Sequence, residues 1–263
     1  MIAIKIYIRD LIKSIVIFII RKMPKVLQIY PIEILRKNEI NINNVKIIFR
    51  PSNDHAYRRW KAFEKNGKEK NTFDWINNFE QNNVFFDIGA NIGVFSIYSA
   101  MKKGMKVFAF EPEPNSFIDL FRTIELNNCD VTPMLMPLSN KNDMNFFNLK
   151  NTFDTGGSGH RFGKKDSTKK NFGIISHTLD ELISLKKIPD PNYIKMDVDG
   201  LEKSVLEGME NLFESKNLKS LLVEFTLPED INFYKKHLEK FNLKLVQGPT
   251  GNNRNYIFSK MNK

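Results

Sequence analysis

From residue 84 onward the chain alternates short apolar runs with amphipathic stretches. No other feature constrains its fold as much. Residues 84–88, 106–110, 131–136, 193–196 and 218–225 read as strands. Residues 92–103, 114–128, 178–187, 201–213 and 228–240 read as the helices between and after them. Gly104 stops the first of these helices and Pro114 opens the second. Strand–helix–strand units of this kind cross over right-handedly and build a doubly wound, mostly parallel sheet. Two last strands, 243–246 and 256–258, are separated by a short Gly/Pro/Asn stretch. That gap is too short for a parallel crossover, so the pair is an antiparallel hairpin. The expected fold class is therefore α/β, Rossmann-like, with an antiparallel last strand.

Segments outside this pattern are less regular. Residues 45–49 read as a strand and 72–80 as a short helix. Residues 145–149 and 172–176 read as extended segments flanking a loop, and 161–170 (RFGKKDSTKK) as a solvated loop able to cover a substrate. The expected organisation is a segment 1–25, an extension 26–83 packing on the catalytic part, and a cofactor-binding catalytic domain 84–263.

Residues 1–25 are apolar and basic, with Lys5, Arg9 and Lys13 four apart on one helical stripe. Their longest charge-free run, 14–20, is far short of the ~20 residues a bilayer span needs. Arg21 and Lys22 follow without a cleavage site, so no signal peptide is expected. Packing on the domain and lying in a membrane interface both fit this segment. The single cysteine, Cys129, excludes an intrachain disulfide framework and suits a reducing, cytoplasmic setting. The net charge of +10 is concentrated in residues 1–83, which carry +8, leaving the catalytic part nearly neutral. Nucleic acid is therefore disfavoured as a partner.

The junction VFFDIGANIGVFS runs strand, glycine turn, helix, and presents backbone N–H groups at the sheet's carboxyl edge. A dinucleotide fingerprint needs a glycine where Asn91 stands, and Asp87 would repel a phosphate. S-adenosylmethionine has no phosphate and carries an ammonium and a sulfonium, which suit Asp87. Gly89 and Gly93 let the methionine part approach the turn. Glu111, closing the second strand, is placed to accept both ribose hydroxyls.

These stretches resemble the FkbM-type family of S-adenosylmethionine-dependent methyltransferases. The resemblance rests on FFDIGANIGVFSIYSA, VFAFEPEPNSF, HTLDEL with YIKMDVDGLEKSVLEGM, and LLVEF, and covers roughly residues 65–260. It implies a class I methyltransferase fold and methyl transfer, usually to oxygen, on sugars or secondary metabolites. Its Gly-Ala-Asn turn adds Ala90 and Asn91 to the expected cofactor contacts. Pro112 is expected on the adenine ring, and Ser139 and Asn140, after the third strand, near the adenine edge.

An alcohol is a poor acid, so the acceptor needs a base or a metal. Asp197 and Asp199 follow the fourth strand and Glu224 ends the fifth, all at one edge of the sheet. Asp197 alone can act as general base. Alternatively Asp197, Asp199 and Glu224 together can bind Mg²⁺ or another divalent cation. The glycine-rich loop 151–163 carries His160, a further proton acceptor. Trp60 and its neighbours Tyr57, Arg58 and Arg59 read either as a sugar platform or as buried packing. The leading expectation is O-methylation of a glycan, glycolipid precursor or secondary metabolite, in the cytoplasm or against the inner face of a membrane. An RNA methyltransferase, and a non-catalytic membrane-associated binding protein that keeps the fold, are the alternatives.

Overall fold

The structure is a computed structural model. It describes residues 37–64, 69–150, 161–225, 230–249 and 254–261. The segment 1–25, His160 and the rest of loop 151–160 lie outside the described residues.

The described chain opens with a hairpin of β1 (Asn38–Ile42) and β2 (Val45–Phe49), turned by Asn43 and Asn44 at φ 47° and 66°. Asparagine tolerates this left-handed backbone, and paired positive φ values match the twist of a tight hairpin. Helix α1 (Asp54–Glu64) buries Ala56 and Trp60, one turn apart. Trp60 stacks on Phe49 with ring centroids 5.0 Å apart, so Trp60 is core. Helix α2 (Lys70–Asn77) buries Phe73, Trp75 and Ile76 and is tied to the sheet by Trp75 Nε1 donating to Ser220 Oγ at 2.9 Å.

Then the alternation begins: β3 (Val84–Ile88), α3 (Val94–Lys103), β4 (Lys106–Phe110), α4 (Pro114–Asn127) and β5 (Val131–Met134). Gly93 and Gly104 bracket α3 at φ 89° and 62°. The Glu113 side chain caps α4 by accepting the N–H groups of Asn115 and Ser116. After a small sheet come α5 (Leu179–Ser184), β9 (Tyr193–Met196), α6 (Glu202–Glu207), β10 (Ser220–Glu224), α7 (Asp230–Glu239), β11 (Leu243–Gln247) and β12 (Asn255–Lys260). The helix expected over 201–213 instead stops at Glu207 and resumes as a 3₁₀ turn, Asn211–Glu214. Gly208 sits at this break, where a Cβ would lie 2.0 Å from the Ser139 carbonyl oxygen.

The main sheet has the order β11-β12-β10-β9-β3-β4-β5, with β12 antiparallel to both neighbours and the five central-to-edge strands β10, β9, β3, β4, β5 parallel. Alternation along each strand feeds two cores. Phe85, Val107, Ala109 and Leu222 face α3 and the N-terminal hairpin and helices. Phe86, Phe108, Ile194, Leu221 and Phe258 face the side that holds α6 and α7. The hairpin β1–β2 and helices α1 and α2 therefore share one apolar core with the sheet. The chain winds one way from β3 and the other way from β9, which opens a switch-point crevice between their carboxyl ends.

The intervening small sheet is an antiparallel trio, β7 (Arg161–Gly163), β6 (Asp143–Asn148) and β8 (Asn171–Ser176), in the order β7-β6-β8. This corrects the expectation of a solvated loop at 161–170: its first three residues are a strand paired with β6. No helix among the described residues is long and apolar enough to cross a membrane.

Candidate functional site

The crevice at the switch point opens into a cleft of about 740 Å³, including its mouth. One wall is apolar: Ile88, Phe110, Pro112, Met136, Pro137 and Leu138. Phe147 and Phe162, cross-strand partners in the small sheet, form another. The polar lining is Arg59, Asn91, Glu111, Asp197 and Asp199.

Backbone hydrogen bonds lock the floor. The N–H groups of Gly89 and Ala90 donate to Phe110 O at 2.9 and 3.0 Å, and Asp197 N–H donates to Ile88 O at 3.0 Å. Gly89 is required twice over. Its φ is +78°, and a Cβ there would lie 1.8 Å from Asp197 O. Gly93 has φ +89° and begins α3, and Ala90 is buried beneath the turn; neither side lines the cleft.

Glu111 is 6% exposed. One carboxylate oxygen accepts the N–H of Asn91 and the other that of Glu113, both at 2.7 Å. Burial raises its pKa to about 7 against the pull of these two N–H groups, with Arg59 adding a smaller lowering effect. Each oxygen retains acceptor capacity for a ligand hydroxyl.

Asp87 lies elsewhere than expected. It is fully buried and is not part of the cleft lining. Position 87 shares its sheet face with Phe85, so its carboxylate turns inward, where Oδ2 accepts from Ser96 Oγ at 2.6 Å. The cation it meets is the protein's own. Lys195 Nζ stands 3.7 Å from Asp87 Oδ1 and 3.6 Å from Asp197 Oδ2, and 5.1 Å above the Phe95 ring. Burial pushes the Lys195 pKa down, but Asp197 and Asp87 outweigh it and leave it above the ordinary lysine value. Burial raises the Asp87 pKa, opposed by Lys195 and Ser96. Lys195 thus fastens the cleft carboxylate Asp197 to the sheet interior.

The three-carboxylate metal set is not assembled. Among the described residues no three His, Cys, Asp or Glu side chains stand close enough to hold a metal ion. Glu224 instead accepts from Arg254 at 3.0 Å, and burial and the Asp197 charge raise its pKa. Asp199 lines the cleft at φ 50°, on the turn that leads to α6. Asp197, Asp199 and Glu224 therefore do not fit a shared divalent cation. Ser139 and Asn140 also stand away from the lining. Ser139 Oγ is 3.2 Å from Ser204 Oγ, and Asn140 Nδ2 donates to Glu207 at 2.9 Å. Met136, Pro137 and Leu138 take that stretch of wall. Pro112 lines the cleft as expected.

The donor set fits S-adenosylmethionine. Apolar walls suit a purine, Glu111 suits a diol, and Asp197 and Asp199 suit cationic groups. A phosphate-bearing cofactor would meet three carboxylates and one arginine. Of the cluster read as a sugar platform or as buried packing, Arg59 lines the cleft while Trp60 is core, an outcome set by how α1 packs.

The FkbM methyltransferase domain matches residues 87–256. The chain is 30% identical over 159 residues to the hexuronic acid methyltransferase AglP of Haloferax volcanii, covering 60% of this chain and 63% of that protein's length. Among solved structures it is similar to a precorrin-6y C5,15-methyltransferase of Geobacter metallireducens, at 12% identity and TM-score 0.44, over 73% of this chain and 86% of that one. It is also similar to TYW2 of M. jannaschii in complex with AdoMet, at 14% identity and TM-score 0.43, over 86% and 87%.

Proposed function

This chain belongs to the FkbM methyltransferase family, and on that premise we propose that it methylates a hydroxyl group of a glycan, with a uronic acid as the first acceptor to try. The relative named for hexuronic acid directs that choice of acceptor. One observation carries the chemistry: a cleft carboxylate, Asp197, held by a buried lysine in the same crevice as a backbone-clamped Glu111. S-adenosylmethionine supplies an electrophilic methyl group when bound. Glu111, Asn91 and Pro112 would hold its adenosine half. Asp197 accepts the acceptor's hydroxyl proton as the oxygen attacks, and Lys195 fixes the orientation of that carboxylate. Phe147 and Phe162 exclude water from the cleft and offer an apolar surface to a sugar face. No step is assigned to a metal.

The test uses the purified chain, methyl-labelled S-adenosylmethionine and uronic acid-containing glycans, with Asp197→Asn as control. Label is expected in the carbohydrate, base-stable as an ether. Asp197→Asn is expected to lose about 10²- to 10⁴-fold in kcat. Label released by nuclease would overturn the glycan reading, and an unimpaired Asp197→Asn would remove Asp197 as the base.

A further inference from the structure

Arg59 stands out among the charges around the cleft. Helix α1 carries three cations, Arg58, Arg59 and Lys61. Arg58 pairs with Asp54, and Lys61 with Glu64, both within the helix. Arg59 has no hydrogen-bond or ion-pair partner among the described residues, yet it lines the cleft. Trp60 fixes its position: with Ala56 it is fully buried, and its stack on Phe49 sets the rotation of α1 about its axis. Arg59 is then held in the cleft lining, within electrostatic reach of Glu111.

Glu111 does not complete Arg59. Its oxygens already accept the N–H groups of Asn91 and Glu113, and the two side chains make no salt bridge or hydrogen bond; Arg59 acts on Glu111 only at longer range. A guanidinium has five donors and no acceptor. Here it is the cation of a lining whose other charges are Glu111, Asp197 and Asp199. Planar fork donors of this kind match a carboxylate with two parallel hydrogen bonds. A ligand that brings two positive groups and one carboxylate into this cleft has a counter-charge for each.

We infer that Arg59 is the carboxylate-binding residue of the cofactor site, pairing with the α-carboxylate of the amino-acid half of the cofactor. The inference rests on the methyltransferase reading. It assigns a role to α1, which precedes the family-matched region 87–256. Helix α1 thus closes one end of the cofactor site as well as packing on the sheet.

Binding of two probes to the full chain tests this without any acceptor. S-adenosylhomocysteine carries the carboxylate; 5′-methylthioadenosine carries the same nucleoside and thioether without it. Arg59→Gln is expected to weaken S-adenosylhomocysteine about tenfold or more, about 1.4 kcal/mol, and to leave 5′-methylthioadenosine unchanged. Arg59→Lys, which keeps the charge and loses the fork, is expected to fall between. Melting curves of both variants report whether α1 is intact. Equal S-adenosylhomocysteine affinity in wild type and Arg59→Gln overturns the inference. Equal losses for both probes overturn it as well, since Arg59 would then act on the nucleoside. A wild-type chain that binds neither probe refutes the methyltransferase reading instead.

Discussion

Glu111 ties cofactor affinity to pH. In the ligand-free chain its pKa stands at about 7, because burial disfavours the charged form more than two backbone N–H groups restore it. Hydroxyl groups donating to this carboxylate favour its ionised form, so ligand binding expels the proton. If only the ionised form accepts both hydroxyls, about a tenth of the protein is competent at pH 6 and about nine tenths at pH 8. S-adenosylhomocysteine affinity should then rise about tenfold across that window, with proton release largest below pH 7. Stability of the ligand-free chain moves oppositely. A carboxyl raised from 4.5 to about 7 contributes stability in full below pH 4.5, and loses it as pH rises through 7. Asp119, raised to about 6 by burial, adds to that trend; it is engaged with Ser52 and does not line the cleft. Calorimetric titration at pH 6, 7 and 8, in two buffers of different ionisation enthalpy, measures both affinity and protons. Glu111→Gln should bind with no slope, and weakly, since its amide NH₂ opposes one of the two N–H donors. A flat wild-type profile, or a slope retained by Glu111→Gln, would refute the reasoning.

Two other substitutions probe the frame of the site. Lys195→Met leaves the fully buried Asp87 without its cation, and is expected to cost about 3–5 kcal/mol in urea unfolding at pH 7. A loss below about 1 kcal/mol would mean that Asp87 is already neutral there. Gly89→Ala places a methyl 1.8 Å from Asp197 O at φ +78°, so β3 and β9 must separate. The expected result is a loss of at least about 2 kcal/mol together with loss of S-adenosylhomocysteine binding. A wild-type melting temperature would show that the turn relaxes freely.

The sheet was readable because its strands are uniformly apolar and bounded by turn residues. Strands β3, β4 and β9 fall on the residues expected of them, as does the hairpin β11–β12. Strand β1 escaped notice because NEINI alternates Asn and Glu with isoleucine over only five residues. Strand β7 escaped notice because RFG is bordered by glycines and lysines, and its order comes from pairing with β6, thirteen or more residues away. At the site, the glycine turn and Glu111 were legible as local signals. The inward turn of Asp87 was not, since a strand-end carboxylate has no assigned face until the register with Lys195 is known. For Arg59 the sequence left platform and packing both open for a similar reason: its place depends on how a separate helix seats Trp60 against Phe49.

The final strand is inserted as a wedge. Strand β12 lies between β10 and β11, so β10 has no partner on that side until residues 255–260 arrive. Strands β3, β4, β5 and β9 are all made earlier, and the cofactor turn can close on them before the chain is finished. During synthesis, then, the nascent protein presents an unpaired edge, apolar over Leu221 to Val223, to its surroundings. Shortening the chain by its last strand would leave that edge permanently open. The ligand cleft would survive on the far side of β9, in a molecule that recruits strands from its neighbours.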